Sequence, residues 1–122
     1  MAKEVFHVNP RNPLSKVVKA NGMLYISGAV GFHPETGKVT GPDVKTQTRQ
    51  VLENIKALLE ELGSSMDKVV KTTVFLTNME DFAAMNEVYA EYFPTDPPAR
   101  STVGVRLALP ELVVEIEAIA LA

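Results

Sequence analysis

The sequence predicts a single two-layer α+β domain in which two helices cover one face of a β-sheet. Two segments repeat apolar residues at three- and four-residue steps, which is typical of amphipathic helices. About six shorter segments are rich in β-branched and apolar residues and end at turn-forming residues, as strands do. The order βββαβαββ and the length of 122 residues fit one domain of this class, spanning residues 1–122.

Each predicted element carries a local signal. In chain order we expect strands at 5–8, 17–20 and 23–30, a helix at 43–62, a strand at 68–77, a helix at 79–93, and strands at 99–107 and 112–121. Asn21-Gly22 strongly favours a two-residue hairpin turn, so the second and third strands should pair. Residues 31–41 contain Pro34 and three glycines and should form a loop, with a short strand near Lys38-Val39. The last two strands should form a hairpin around residues 108–111.

Both predicted helices have recognisable ends. Asp43 suits the N-cap of the first helix, and Gly63 suits the left-handed residue just past its end. Asn78 suits the cap of the second helix, and Pro94 ends it. The expected buried stripes are Val44, Val51, Ile55, Leu58, Leu59 and Leu62 on the first helix, and Phe82, Met85, Tyr89 and Phe93 on the second.

The predicted sheet has a second apolar face that two helices cannot cover. The strands at 23–30, 99–107 and 112–121 are apolar at both alternating sets of positions. A lone antiparallel sheet usually presents polar residues on its uncovered face. We therefore expect another copy of the chain to pack there, in a homo-oligomer.

Composition argues against several classes of function. The chain has no cysteine, which excludes disulfides, thiolate metal sites and cysteine nucleophiles. His7 and His33 are isolated, without a second histidine at ligand spacing, so no metal site is expected. The net charge of −3 and the lack of a Lys/Arg cluster argue against nucleic-acid partners. No signal peptide or membrane-spanning segment is evident, so a cytoplasmic location without a membrane partner is the expectation.

Two polar residues lie within apolar patterns. Asn86 is four residues from Phe82 and three from Tyr89, inside the buried stripe of the second helix. Burying an amide costs free energy unless it is hydrogen-bonded, and nearby backbone is the ordinary partner. Ser27, in YISGAV, has no evident base beside it, so a buried hydroxyl is the simpler interpretation than a nucleophile.

The final strand places two carboxylates on one face of a nearly all-apolar segment. Strict alternation puts Glu115 and Glu117 on the same side. One face of the preceding strand holds Arg100, Thr102, Gly104 and Arg106. In the structural interpretation Arg106 pairs with one of the two glutamates, in a barrel or an interface. The other glutamate is then a candidate general base.

Arg100 follows two prolines in PPARSTV, at the start of a predicted strand. An arginine on a strand is usually an exposed, solvated charge. The alternative is that Pro97 and Pro98 restrict the backbone and so present Arg100 to an anionic ligand. A guanidinium matches a carboxylate with two parallel hydrogen bonds and always stays charged.

Four stretches resemble, in order and spacing, the RidA/YjgF family of reactive-intermediate (enamine/imine) deaminases: YISGAVGFHPETGKV, KTTVFLTNMEDFAAMNEVYAEYF, PPARSTV and VEIEAIA. The resemblance covers almost the whole chain. It implies chorismate-mutase-like two-layer subunits with two helices packed on one face of a mixed sheet. It also implies a homotrimeric barrel, with the sheets inward, the helices outside and the sites in clefts between adjacent subunits.

The resemblance further implies roles for individual residues. Arg100 matches the arginine of the family's P-A-R-S motif, which holds the substrate carboxylate. Glu115 matches the first glutamate of the E-I-E motif and is implied to activate water. The implied substrate-binding positions are completed by Ser27 and Gly28 of the S-G motif, by Asn86, and by Thr102, where many members carry cysteine.

Two departures from the family pattern bear on substrate range. Leu14 stands where many deaminases have tyrosine, and Ala29 stands where they have glutamine. The activity implied is hydrolytic deamination of 2-imino acids, such as 2-iminopropanoate and 2-iminobutanoate or their enamine tautomers, to 2-oxo acids and ammonia. No metal or organic cofactor is implied. Two alternatives stay open: a non-catalytic protein that binds carboxylate metabolites, and an RNA-cleaving translation inhibitor, an activity also attributed to this family.

Overall fold

The computed structural model describes residues 2–122, which form six β-strands and two α-helices. The elements are β1 (Glu4–Asn9), β2 (Leu14–Ala20), β3 (Met23–Val30), α1 (Val44–Glu61), β4 (Val69–Leu76), α2 (Phe82–Tyr92), β5 (Ala99–Gly104) and β6 (Val114–Leu121). Single 3-10 turns at Met66–Lys68 and Met79–Asp81 precede β4 and α2. The predicted order is confirmed, although β2 begins at Leu14 rather than Val17 and the last two strands are shorter than expected.

The strands form one mixed sheet in the order β1-β2-β3-β6-β4-β5. All neighbouring strands are antiparallel except β4 and β5. These two strands run parallel because α2 returns the chain to the edge of the sheet at which β4 begins. The expected hairpin between the last two strands is therefore wrong, since β4 lies between β5 and β6. Residues 105–113 are held at the end of β4 instead. The amide of Val105 donates to the Leu76 carbonyl, and the amide of Thr77 donates to the Val113 carbonyl.

The predicted Asn21-Gly22 turn and the predicted ends of α1 are confirmed, but the predicted cap of the second helix is not. Asn78 accepts from the amide of Glu80 and caps the 3-10 turn at Met79–Asp81, and α2 begins after Asp81, whose side chain makes no capping hydrogen bond. Asn21 and Gly22 both have positive φ, 51° and 74°, as the predicted hairpin turn requires. The Asp43 carboxylate accepts a hydrogen bond of 2.9 Å from the amide of Thr46, which caps α1. Gly63 has a φ of 80° just after that helix.

Both helices pack on one face of the sheet and bury its apolar side chains. The buried side chains that the strands contribute are Val17, Leu24, Ile26, Val69, Val74, Leu76, Val114, Ile116, Ala118 and Ala120. The predicted alternation of β6 is confirmed, because its even-numbered residues are the buried ones. We call this side of the sheet the helix face.

One member of the predicted stripe on α2 is not buried. Met85, Tyr89 and Phe93 belong to the core, but Phe82 is 38% exposed. It occupies the first turn of the helix and lies beside Arg100, with 5.5 Å between the guanidinium carbon and the ring centre. Helical spacing alone predicted a buried side chain here, whereas the ring contacts a cation at the margin of the core.

The opposite side of the sheet, which we call the open face, carries apolar side chains that no element of residues 2–122 covers. Its members, identified by strand register, include Val5, Val18, Tyr25, Thr73, Phe75, Ser101, Val103, Glu115, Glu117 and Ile119. Val5, Tyr25 and Val103 are all exposed. Apolar exposure of this extent is typical of an interface. The homo-oligomer stays a prediction that this face favours.

Candidate functional site

Arg100 lies on β5 and projects over the helix face into a set of contacts with α2. Its Nη1 donates a 2.7 Å hydrogen bond to Oδ1 of Asn86. Its guanidinium carbon is 4.8 Å from the centre of the Tyr89 ring and 5.5 Å from that of Phe82. These three contacts have the spacing i, i+4 and i+7, which one face of a helix presents together. We call Phe82, Asn86 and Tyr89 the arginine cradle.

The positive charge of Arg100 is not neutralised by any carboxylate of residues 2–122. The ion pairs in this part of the chain join His7 to Glu61, Lys45 to Glu87, and Arg49 to Glu91. A guanidinium has five N–H donors, and the Asn86 amide accepts from only one nitrogen. The charge of Arg100 and most of its donors are therefore without a partner among residues 2–122.

Asn86 contacts this guanidinium, and Thr102 shares the face of β5 from which Arg100 projects. The sequence suggested nearby backbone as the partner of the Asn86 amide, but its oxygen accepts from Arg100. Thr102 follows Arg100 by two residues on the same face of β5, since their register partners on β4 are Val74 and Thr72. The Thr102 hydroxyl oxygen is buried without a hydrogen-bond partner among the described residues. A buried hydroxyl without a partner is unusual in a folded protein.

Glu115 lies on the open face, against a β-bulge in β3. The register between β3 and β6 shifts between Ile26 and Ala29, so Ser27 and Gly28 share the space of one residue. A Cβ on Gly28 would lie 2.8 Å from the carboxyl carbon of Glu115, closer than real contacts allow. Burial, and secondarily the neighbouring Glu117, raise the pKa of the Glu115 carboxyl. A carboxylate with a raised pKa is a stronger base.

Ser27 and Glu117 lie on the margin of a shallow depression in the open face. The depression has a volume of about 250 Å³ and is also lined by Lys71 and Thr73. The Ser27 hydroxyl donates a 2.6 Å hydrogen bond to the Ser15 carbonyl and so ties β3 to β2. Its proton is thus committed within the fold, as the simpler interpretation of this serine expected. Its lone pairs can still accept from a ligand.

Arg100 and Glu115 lie on opposite sides of the same sheet. Arg100 is paired with Thr72 of β4, and Glu115 is paired with Phe75 of the same strand. Three positions separate Thr72 from Phe75, and side chains alternate between faces along a strand. One chain therefore holds two separate groups: Arg100, Asn86 and Thr102 on the helix face, and Glu115 with Gly28 on the open face.

Two aromatic contacts of the arginine escaped sequence reasoning. Tyr89 and Phe82 were predicted only as core residues, although their spacing around Asn86 was the signal that one helix face would hold all three.

The predicted pairing of Arg106 with a glutamate is not among the ion pairs of residues 2–122. Within the same residues no three His, Asp or Glu side chains converge to hold a metal ion. No helix in the described part of the chain is long and apolar enough to cross a membrane.

Comparison with known proteins agrees with the resemblance. A sequence model of the family described as Endoribonuclease L-PSP matches residues 6–122. A RutC family protein of Pyrococcus horikoshii is 51% identical over 111 residues, which are 91% of this chain and 88% of that protein. Chloroplastic Reactive Intermediate Deaminase A of Arabidopsis thaliana is 44% identical over 88% of this chain and 58% of its own length. The crystal structure of a conserved Rid family protein from Yersinia pestis, 42% identical, gives a TM-score of 0.90 over 99% of this chain and 100% of that one. The chain belongs to the RidA/YjgF family.

Proposed function

We propose that the protein hydrolyses reactive 2-imino acids to 2-oxo acids and ammonia. The observation that carries the proposal is the unneutralised guanidinium of Arg100, held by an amide and two aromatic rings with its remaining donors free. A 2-imino acid combines a carboxylate, which matches this cation, with an electrophilic C=N carbon. The name of the Arabidopsis relative, a reactive intermediate deaminase, supports the same class of reaction.

The chemistry needs one positioned anion and one base. With the carboxylate bound to Arg100, a water adds to the C=N carbon, forming the C–O bond, while Glu115 accepts its proton. The C=N π bond breaks toward nitrogen, and Glu115 returns that proton to the nitrogen to give a carbinolamine. The carbinolamine hydroxyl then passes its proton through Glu115 to the amino nitrogen, and the C–N bond breaks as C=O forms and ammonia leaves. The raised pKa of Glu115 suits both the acceptance and the return of a proton. The proposed substrates are 2-iminopropanoate and 2-iminobutanoate.

We further propose that the complete site forms between adjacent subunits of a homotrimer. A site within one chain would require Arg100 and Glu115 to reach around the sheet, since they lie on opposite faces. Arg100 lies on β5, which pairs with β4 alone among the strands of residues 2–122 and forms an edge of the sheet, so a neighbouring subunit can approach it. Glu115 lies on the apolar open face, which a neighbouring subunit would cover. Packing the open face of one subunit against the β5 edge of the next brings the two groups together.

Two residues near the proposed site bear on substrate range. Leu14 begins β2 and is exposed, next to Ser15, whose carbonyl accepts from Ser27. Ala29 follows the bulge and pairs with Ile116 on the helix face. Both are apolar where many deaminases have a polar side chain, which favours an apolar substituent on the imine carbon.

The cytoplasmic location stays a prediction.

A coupled assay tests the proposal. 2-Iminopropanoate or 2-iminobutanoate is generated in solution by an amino-acid oxidase, and a trapping reagent competes with hydrolysis. Wild-type protein should divert the imine to the 2-oxo acid, and Arg100→Ala should not. A protein that binds 2-oxobutanoate but leaves imine decay unchanged would instead be the non-catalytic carboxylate-binding alternative.

The RNA-cleaving alternative has less support. The description of the matching family model includes the word endoribonuclease. However, the net charge is −3, His7 bonds Glu61 at 2.8 Å, and His33 accepts from the amide of Glu35, so no pair of histidines is free for acid–base cleavage. Incubation of purified protein with labelled single-stranded RNA tests this alternative directly, and we expect no cleavage.

A further inference from the structure

We infer that Tyr89, held in place by Thr72, is a positioning residue that sets the plane of the Arg100 guanidinium for carboxylate binding. The inference rests on the proposed role of Arg100. It assigns a function in ligand affinity to Thr72, a buried residue of β4.

The three side chains form one continuous set of contacts on the helix face. Thr72 is the register partner of Arg100 on the neighbouring strand, so both side chains project the same way. The Thr72 hydroxyl and the Tyr89 phenol share a hydrogen bond of 2.7 Å. The Tyr89 ring then lies 4.8 Å from the guanidinium carbon of Arg100. Thr72 of β4 is thereby connected to Arg100 of β5 through Tyr89 of α2.

An aromatic ring can orient the guanidinium and still leave its positive charge and its N–H donors to a carboxylate ligand. A carboxylate beside Arg100 would also fix its plane, but it would neutralise the charge and occupy the paired donors. The Tyr89 ring, with its centre 4.8 Å from the guanidinium carbon, attracts the cation through its quadrupole and accepts none of its N–H hydrogen bonds. Burial raises the pKa of the Tyr89 phenol, so this support stays neutral and does not compete with the ligand as an anion.

The hydrogen bond to Thr72 is what distinguishes Tyr89 from a phenylalanine at the same position. Thr72 is 1% exposed, so water does not replace its hydroxyl as the partner of the phenol. The bond fixes the far end of the ring, while Phe93 packs against Tyr89 with 4.7 Å between ring centres. The ring is thus held from two directions, and its free face meets Arg100.

A matched pair of variants at Thr72 tests the inference. Thr72→Val keeps the side-chain shape and removes the hydroxyl, whereas Thr72→Ser keeps the hydroxyl and removes a methyl group. Calorimetric titration of the trimer with 2-oxobutanoate should show about three- to tenfold weaker binding for Thr72→Val and little change for Thr72→Ser. Tyr89→Phe, which removes the other end of the hydrogen bond, should match Thr72→Val, and it decides the test if Thr72→Val fails to fold.

Steady-state kinetics add a readout that a loss of packing would not produce. Poorer orientation of Arg100 weakens binding of substrate and transition state alike, so KM should rise by the same factor while kcat is retained. Equal weakening by Thr72→Val and Thr72→Ser would overturn the inference, because packing would then explain both. Wild-type affinity in Thr72→Val and Tyr89→Phe, together with lost binding in Arg100→Ala, would overturn it and leave the role of Arg100 intact. Wild-type affinity in Arg100→Ala would overturn the proposed function itself.

Discussion

The two faces of the sheet each hold one candidate functional residue, and these two residues differ in how many of their contacts lie within the same chain. On the helix face, Arg100 is already oriented by the arginine cradle and by Thr72 beneath Tyr89. On the open face, Glu115 rests against a glycine and has no ion-pair partner among residues 2–122. The proposed carboxylate-binding group is thus arranged by the fold of the subunit. The proposed acid–base group depends on what covers the open face.

The largest expected effect is a difference between two lysine substitutions on β6, one on each face of the sheet. Ile116 of β6 is fully buried under the helices, so Ile116→Lys places an unpaired charge in the core and should prevent folding, at a cost of several kcal/mol. Ile119 lies three positions on, on the open face. Ile119→Lys should fold but fail to form the proposed trimer. Circular dichroism and light scattering on both variants check this, and a trimeric Ile119→Lys protein would show that the open face is not the interface.

The next largest effect is expected at Arg100. Arg100→Ala should weaken binding of 2-oxobutanoate by about two orders of magnitude or more and abolish deamination, because a paired charged contact is lost. Arg100→Lys should restore little, since the ammonium keeps the charge but lacks the fork geometry. The melting temperature should change little in either variant. A large drop in melting temperature that lysine reverses would instead indicate a structural arginine.

Glu115 should show the opposite phenotype, with binding retained and chemistry lost. Glu115→Gln keeps the shape of the side chain but cannot accept a proton, so kcat should fall by about 10²–10⁴-fold while 2-oxobutanoate still binds. Because burial raises the pKa of Glu115, wild-type kcat should decline on the acid side at a higher pH than an ordinary glutamate would give. Glu117→Gln is the matched control and should retain activity. Exchange of the two phenotypes would assign the base to Glu117.

A smaller effect is expected from the bulge that supports Glu115. Gly28→Ala introduces a methyl group where only 2.8 Å separates it from the Glu115 carboxyl carbon, so that carboxyl group must move. The φ of Gly28 does not require glycine, so the backbone should tolerate the change. We expect kcat to fall about tenfold with unchanged affinity for 2-oxobutanoate, since a displacement below 1 Å already impairs proton transfer. An unchanged kcat would show that Gly28 does not position the base.

Local patterns in the sequence predicted the elements and faces well, and non-local contacts poorly. The Asn21-Gly22 turn, the Asp43 cap and the alternation of β6 each depend on a few neighbouring residues, and each is confirmed. The pairing of β5 with β4 depends on the path of the chain through α2, which no local pattern records. The sequence therefore suggested a hairpin with β6.

The same limit applies to the candidate site. Arg100 and Asn86 were predicted and are in contact, and Thr102 shares a strand face with Arg100. The cradle contacts of Phe82 and Tyr89 were hidden within an ordinary apolar stripe. The expected hairpin would have placed Arg100 and Glu115 on neighbouring strands. The observed sheet places Arg100 and Glu115 on opposite faces. Because of this separation, we propose that each site is shared by two subunits.

Mixing of two inactive variants tests that claim most directly. Arg100→Ala and Glu115→Gln subunits are refolded together in equal amounts, so that mixed trimers form, and each variant refolded alone serves as the control. If each site takes Arg100 from one subunit and Glu115 from the next, about a quarter of the sites in random trimers are intact, and about a quarter of wild-type activity should return. If both groups act within the same subunit, no site contains both, and the mixture would remain as inactive as its parents, which would contradict the shared site.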